Sequence, residues 1–302
     1  MASLLRLYSR APARARLPLD ELMSSKPKLG QNFLRDAQAI ERIAASLGDC
    51  KDRTVVEIGP GRGAITHAVA GRAGRVLAIE LDRALAARLR AEFAPERVTV
   101  VEQDVLEFDF AAASAAAGEQ LIVVGNLPYY ITSPILLKLA ASHEALDRAV
   151  LMVQREVADR VAAGPGPRDF GVLSASVQMY GPVEKLFTLT PSAFSPPPEV
   201  HSTVIRWRFA PRFTELGVDE AGFIQFLRQG FAQKRKTLAN NLRAAGMAAT
   251  IVSAGLADAG IEPRARAETV ALESFAALWR RLQSEGATAK NEVTPATTDT
   301  SS

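Results

Sequence analysis

The sequence predicts an α/β fold: a Rossmann-like, mainly parallel sheet followed by a small all-helical C-terminal domain. Three observations predict it. The run Thr54-Val55-Val56-Glu57-Ile58 passes directly into Gly59-Pro60-Gly61-Arg62-Gly63 and then a helical pattern over 64–70, which is the strand, glycine loop and helix of a nucleotide-binding turn. Short apolar runs recur after it, and each closes on an acid or amide: Val76–Ile79 on Glu80, Val98–Val101 just before Asp104, Leu121–Val124 just before Asn126. From Phe223 onward the apolar spacing becomes helical, with Phe223, Leu227, Phe231, Leu238 and Leu242 on one face if the helix continues through Gly230.

The totals narrow the class. At 302 residues, with 48% hydrophobic and 23% charged, the chain has an ordinary globular balance and room for one large domain or two. Net charge is +3, so a nucleic-acid footprint must be local. The single cysteine, Cys50, excludes an internal disulfide and a cysteine metal cluster, and His67, His143 and His201 show no ligand spacing, so no metal is expected. No apolar run approaches the ~18 residues of a membrane span.

Residues 1–23 carry Arg6, Arg10, Arg14 and Arg16 and no acid before Asp20. That composition resembles a mitochondrial transit peptide, but Ala/Arg richness runs through the whole chain, and the segment is read as a disordered arm of a cytoplasmic protein. Lys26–Leu34 mixes basic, amide and aromatic groups ahead of a helix that Asp36 caps and Gly48 closes. Helices are expected over 85–93 and 133–140, a helix or loop over 110–117, a strand over 149–153 and a short helix over 157–163. Residues 172–180 and 183–189 read as antiparallel strands, and 204–209 as one more. The first domain is then 24–210, the helical domain 211–284, and the polar tail 285–302 is disordered.

The candidate site residues stand at strand ends. Asn126-Leu127-Pro128-Tyr129 follows a buried strand with an amide, a stiff proline and an aromatic ring. Together these suit gripping an exocyclic amine on a planar base, although a strand ending in a plain Pro turn has the same composition. Gly59, Gly61 and Gly63 let backbone approach a ligand closely. Glu57 would repel a pyrophosphate and welcome a cation such as a sulfonium with an α-amino group. Glu80, about 20 residues past the loop, suits ribose hydroxyls, and Asp104 again stands where open α/β sheets bind ligands. Arg228, Lys234, Arg235, Lys236 and Arg243 form a one-signed run, with no acid between Glu220 and Asp258. Such a run favours a phosphate-binding surface over a merely solvated face.

In order along the chain, KLGQNFL, EIGPGRG, Glu80, QDV, NLPYY, VQREVADR and FSPPPEVHSTV resemble the ribosomal small-subunit RNA adenine dimethyltransferases. The resemblance runs from about Lys26 to Trp279, and AGIEPRARAETVALESFAALW is similar to the bacterial branch. It implies a seven-stranded class I methyltransferase sheet and S-adenosylmethionine lying across Asn32, Leu34, Gly59, Glu80, Asp104 and Asn126. Glu80 would take the ribose hydroxyls and Asp104 the adenine amine of the cofactor. Asn126 and the Pro128 carbonyl would accept from the target N6 amine, and Tyr129 and Phe194 would sandwich the flipped adenine. The implied reaction dimethylates two adjacent adenosines near the 3′ end of 16S rRNA during ribosome biogenesis. The implied partner is the rRNA or the immature small subunit, and the implied state is a monomer. Two other readings are weighed: a large-subunit rRNA adenine methyltransferase, and a non-catalytic RNA-binding assembly or transcription factor that keeps the fold.

Overall fold

The computed structural model describes residues 32–166 and 169–291. The arm at 1–23, most of the KLGQNFL segment and the end of the tail lie outside them. The chain divides into two compact units, one holding the chain to Ala162 with Tyr180–Ala210, the other holding Ala163–Met179 with the chain from Pro211.

The first unit is built on seven strands: β1 Thr54–Ile58, β2 Arg75–Glu80, β3 Val98–Glu102, β4 Leu121–Asn126, β5 Leu146–Gln154, β6 Val183–Leu189 and β7 Ser202–Arg208. Their spatial order is β3-β2-β1-β4-β5-β7-β6. The first five are parallel, and β7 enters antiparallel between β5 and β6. Every residue of β1 is buried, as a central parallel strand covered on both faces requires. Helices α1 Ala37–Ser46, α2 Ala64–Ala70, α3 Arg83–Glu92, α4 Phe110–Ala117, α5 Thr132–Ala141 and α6 Arg155–Val161 connect and cover these strands. Asp36 caps α1 by accepting from the Gln38 and Ala39 amides, and Asp82 caps α3 in the same way. Ile58 pairs with Gly125 across β1 and β4. A Cβ on Gly125 would stand 2.7 Å from the Ile58 carbonyl oxygen, so glycine there lets the two strand ends close up beside the glycine loop.

The second unit is helical: α7 Val172–Met179, α8 Phe213–Leu216, α9 Glu220–Gly230, α10 Leu238–Ala244, α11 Ala249–Asp258 and α12 Leu272–Asn291. Phe223, Phe226, Leu227, Leu238, Leu242 and Phe275 are fully buried in it, with the Phe226 and Phe275 rings edge-on at 6.2 Å.

Three expectations are corrected here. Residues 172–180, read as a strand in the first domain, form α7 in the second unit. Its run of small and apolar residues does not fix a period, and burial of Ser174, Ala175, Ser176, Val177 and Met179 decides for the helix. The single apolar face is conditional on a helix continuing through Gly230, and that condition is not met: the helix stops at Gly230 and α10 begins only at Leu238, so Lys234–Lys236 sit on a turn. Finally, α12 runs on to Asn291, past residue 285 where the tail was expected to begin.

Candidate active site

One pocket gathers the strand ends of the first unit, and its walls include Asn32, Leu34, Glu57, Gly59, Gly61, Glu80, Asp104, Asn126, Pro128 and Tyr129. Ten residues separated by up to 97 positions in sequence thus meet at the carboxyl ends of β1, β2, β3 and β4, where a doubly wound sheet opens toward a ligand.

The glycine loop takes its shape from three left-handed residues, Gly59 at φ 65°, Gly61 at φ 59° and Gly63 at φ 85°. A side chain at Gly61 would also meet the Phe33 ring, 3.1 Å from the position of a Cβ. Glu80 ties this loop to β2: its Oε2 accepts from the Gly61 amide at 3.0 Å and its Oε1 from the Asp82 amide at 2.9 Å. The carboxylate is therefore fixed before any ligand arrives, with a second lone pair on each oxygen still able to accept. Asp104 Oδ1 accepts from the Leu106 amide at 2.9 Å.

Glu57 differs from these two. It is buried at 1% exposure, and neither its Oε2 nor the Thr66 hydroxyl has a hydrogen-bond partner among the described residues. Burial pushes its carboxyl up to about 7, against the nearby Thr66 hydroxyl and with the Glu80 charge adding to the rise. A carboxyl in that state takes up a proton cheaply and would ionise toward a cation.

The turn after β4 is pinned at each residue. Asn126 Nδ2 donates to the Asn32 carbonyl at 3.0 Å. The Leu127 amide donates to the Met152 carbonyl at 3.0 Å. The Pro128 carbonyl accepts from Thr132 Oγ1 at 3.0 Å and from the Ile131 amide at 3.2 Å. Both of its lone pairs are engaged, so the expected acceptor role for the target amine does not fit this carbonyl as it stands. The Tyr129 hydroxyl lies 2.9 Å from Ser202 Oγ.

Phe194 is brought to the same end of the unit but not into the pocket. Phe33–Leu34 and Phe194–Ser195 form a two-residue antiparallel ladder, with Leu34 opposite Phe194. The Phe194 ring is 2% exposed and belongs to the apolar core, so it offers no face for a base in this structure. The sequence reading also passed over Phe33, Leu81 and Tyr130. Phe33 lies under the Arg62 guanidinium at 4.3 Å. Leu81 and Tyr130 line the pocket while 55% and 45% exposed. Burial, with the Asp104 charge adding to it, pushes the Tyr130 phenol upward. The available signals were position alone, Leu81 directly after Glu80 and Tyr130 as the second tyrosine of NLPYY.

In the second unit Arg228, Lys234, Arg235, Lys236 and Arg243 are all exposed, and none forms an ion pair among the described residues. No group of three or more His, Cys, Asp or Glu is placed to hold a metal ion among the described residues. No helix described is long and apolar enough to cross a membrane.

A family profile described as ribosomal RNA adenine dimethylase matches residues 23–284. The chain belongs to that family. It is 56% identical over 277 residues to the ribosomal RNA small subunit methyltransferase A of Acidobacterium capsulatum, covering 91% of this chain and 98% of the relative. It is 50% identical over 272 residues to the protein of the same name from Koribacter versatilis, covering 86% and 95%. Among solved structures it is similar to the 23S rRNA methyltransferase ErmE, at TM-score 0.64 and 26% identity over 83% of this chain and all of that one. A dimethyladenosine transferase from Plasmodium falciparum shares the fold at TM-score 0.68 and 22% identity, over 84% and 98%. This rRNA adenine dimethylase is therefore a class I methyltransferase in fold, and the pocket of Glu80, Asp104 and Asn126 is the candidate place for its chemistry.

Proposed function

We propose that the chain transfers methyl groups from S-adenosylmethionine to N6 of two adjacent adenosines in the 3′-terminal hairpin of 16S rRNA during assembly of the small subunit. It would act in the cytoplasm as a monomer. The observation that carries the reading is the convergence of a pinned Asn-Leu-Pro-Tyr turn with three carboxylates in one pocket. The small-subunit methyltransferases at 56% and 50% identity support the choice of RNA over the large-subunit alternative, which ErmE represents at 26%.

The pocket residues fit the cofactor. Glu57, Glu80 and Asp104 against the single guanidinium of Arg62 favour a ligand with net positive charge, and the orphaned Glu57 oxygen is a buried acceptor that such a ligand would satisfy. Glu80 would hold the ribose hydroxyls, Asp104 the adenine amine, and the Gly59–Gly63 loop, with Asn32 and Leu34, the methionine portion. When bound, the cofactor supplies an electrophilic methyl group on a sulfonium.

The remaining work belongs to the chain. Asn126 Nδ2 is committed to Asn32, which presents Oδ1 as the acceptor for an N6 hydrogen. Tyr129 offers the stacking ring, while Phe194 is buried in the core and supports the pocket through its backbone pairing with Leu34. No strong base is needed, because an aromatic amine gives up a proton readily once its nitrogen is methylated. Rate enhancement then comes mainly from orientation of the nitrogen. Arg228, Lys234, Arg235, Lys236 and Arg243 would hold the RNA backbone. The test is incubation with labelled cofactor and undermethylated small subunits, followed by nucleoside analysis. Labelled dimethyladenosine in the small-subunit RNA is the expected product, and RNA without label would end the proposal.

A further inference from the structure

Tyr129 lines the same pocket as Asn126, and its hydroxyl does not end in solvent: it lies 2.9 Å from Ser202 Oγ. Ser202 is buried at 0% exposure in β7, where the ladders set it opposite Gln154 on β5 and Leu189 on β6. A hydroxyl in that position must find a partner inside the protein, and it finds the phenol. The other end of the tyrosine is fixed as well, because its turn is held by the two bonds to the Pro128 carbonyl.

The geometry of a phenol makes this contact specific in its effect. The hydroxyl lies on the axis of rotation about Cβ–Cγ, so holding it fixes χ1, the direction in which the ring projects. Rotation of the ring about its own axis stays free. A ring held this way cannot swing away from the pocket, yet it can turn to match the plane of a base. A purely apolar wall would be served by phenylalanine, with no buried serine opposite.

We propose that Ser202 is a positioning residue for Tyr129, setting the direction of the ring against which the target adenine stacks. The inference rests on the reading of Tyr129 as the stacking side chain. The experiment is methyl transfer to undermethylated small subunits at saturating cofactor, with Tyr129→Ala, Tyr129→Phe, Ser202→Ala and the Tyr129→Phe/Ser202→Ala pair. Cofactor affinity by calorimetry is the control for folding. Ser202→Ala should lower kcat/KM by about two- to tenfold, the range of one uncharged hydrogen bond. In the Tyr129→Phe background the same substitution should change it by less than about twofold, and cofactor affinity should hold in Ser202→Ala, a residue outside the pocket walls. Equal losses in both backgrounds, or no loss in the parent, overturn the proposal. Should Ser202→Ala fail to bind cofactor, Tyr129→Phe reads the contact from its other end, and an unaltered kcat/KM there overturns it too. A fully active Tyr129→Ala removes the stacking reading and this inference together. An impaired Tyr129→Ala beside a silent Ser202→Ala removes the inference alone.

Discussion

Asn126 and Asn32, 94 positions apart, are joined by a single hydrogen bond of 3.0 Å from the side-chain amide of the first to the backbone carbonyl of the second. The bond assigns the two ends of the Asn126 amide, nitrogen toward the protein and Oδ1 toward whatever enters the pocket. Asn126→Ala removes both the tether and the acceptor. The single-turnover rate at saturating RNA and cofactor should fall by roughly 10²-fold, the scale of lost alignment. A rate that recovers fully at high RNA would place Asn126 in binding alone.

Glu80 holds the Gly61 and Asp82 amides with its two oxygens. Glu80→Ala should therefore weaken cofactor binding twice over, through the lost ribose acceptor and through the loosened glycine loop. Charge-assisted bonds contribute about 1.5–3 kcal/mol each, so the loss in calorimetry should be at least about tenfold, with RNA affinity in the absence of cofactor little changed. Unaltered cofactor affinity would refute the assignment.

Glu57 predicts a pH dependence. Burial first, and the Glu80 charge after it, raise its carboxyl from 4.5 to about 7 in the folded protein. The folded state thus holds this proton to higher pH than the unfolded chain does. Its contribution to stability is lost as pH rises from the unfolded value through about 7, a loss of up to about 3 kcal/mol at alkaline pH. In the cofactor-free protein, Glu57→Gln should flatten the stability profile across that window and exceed the parent above it. Denaturant midpoints measured along pH decide this, and parallel profiles for the two proteins would show that Glu57 is already ionised.

How much of this was legible in the sequence depends on how local the signal is. Glu80 follows its apolar run directly, Asn126 and Asp104 follow theirs within two and three positions, and a strand end is a local feature, so their meeting in one pocket follows from the order of the strands. The glycine loop was legible for the same reason. Occupancy of the Pro128 carbonyl was not, because it depends on which way the Thr132 hydroxyl turns. Nor was the burial of Phe194, which comes from pairing with Leu34 across 160 positions, or the helix at 172–179, whose composition fits two periods and whose partner elements lie far away in sequence.

The burial of Phe194 carries its own prediction. With 2% exposure and a place in the apolar core, Phe194→Ala should cost about 3–5 kcal/mol of stability, read as a lower denaturant midpoint at unchanged slope. Phe194→Leu should recover much of it. A midpoint that does not move would take the ring out of the core and return it to the role of a second stacking face.

The break at Gly230 changes how the basic run meets RNA. On a continuous helix Lys234, Arg235 and Lys236 would point in three directions about 100° apart. In the structure they lie on the exposed turn between α9 and α10, and Asn241 braces that turn by donating to the Gly230 carbonyl at 2.6 Å and the Gln233 carbonyl at 3.3 Å. None of the three has an acidic partner among the described residues, so no ion pair must break before they reach a phosphate. Replacing all three with Ala should weaken binding to small-subunit RNA. The slope of log K against log salt should become shallower by about 2–3, since each neutralised phosphate contributes about 0.7–0.9. Cofactor affinity should stay as it was, because the pocket proposed for the cofactor is lined wholly by residues 32–135 of the other unit. Binding titrations from low to moderate salt give the slope, and a slope equal to the parent's would assign the turn to solvent and move the search for the phosphate contacts elsewhere.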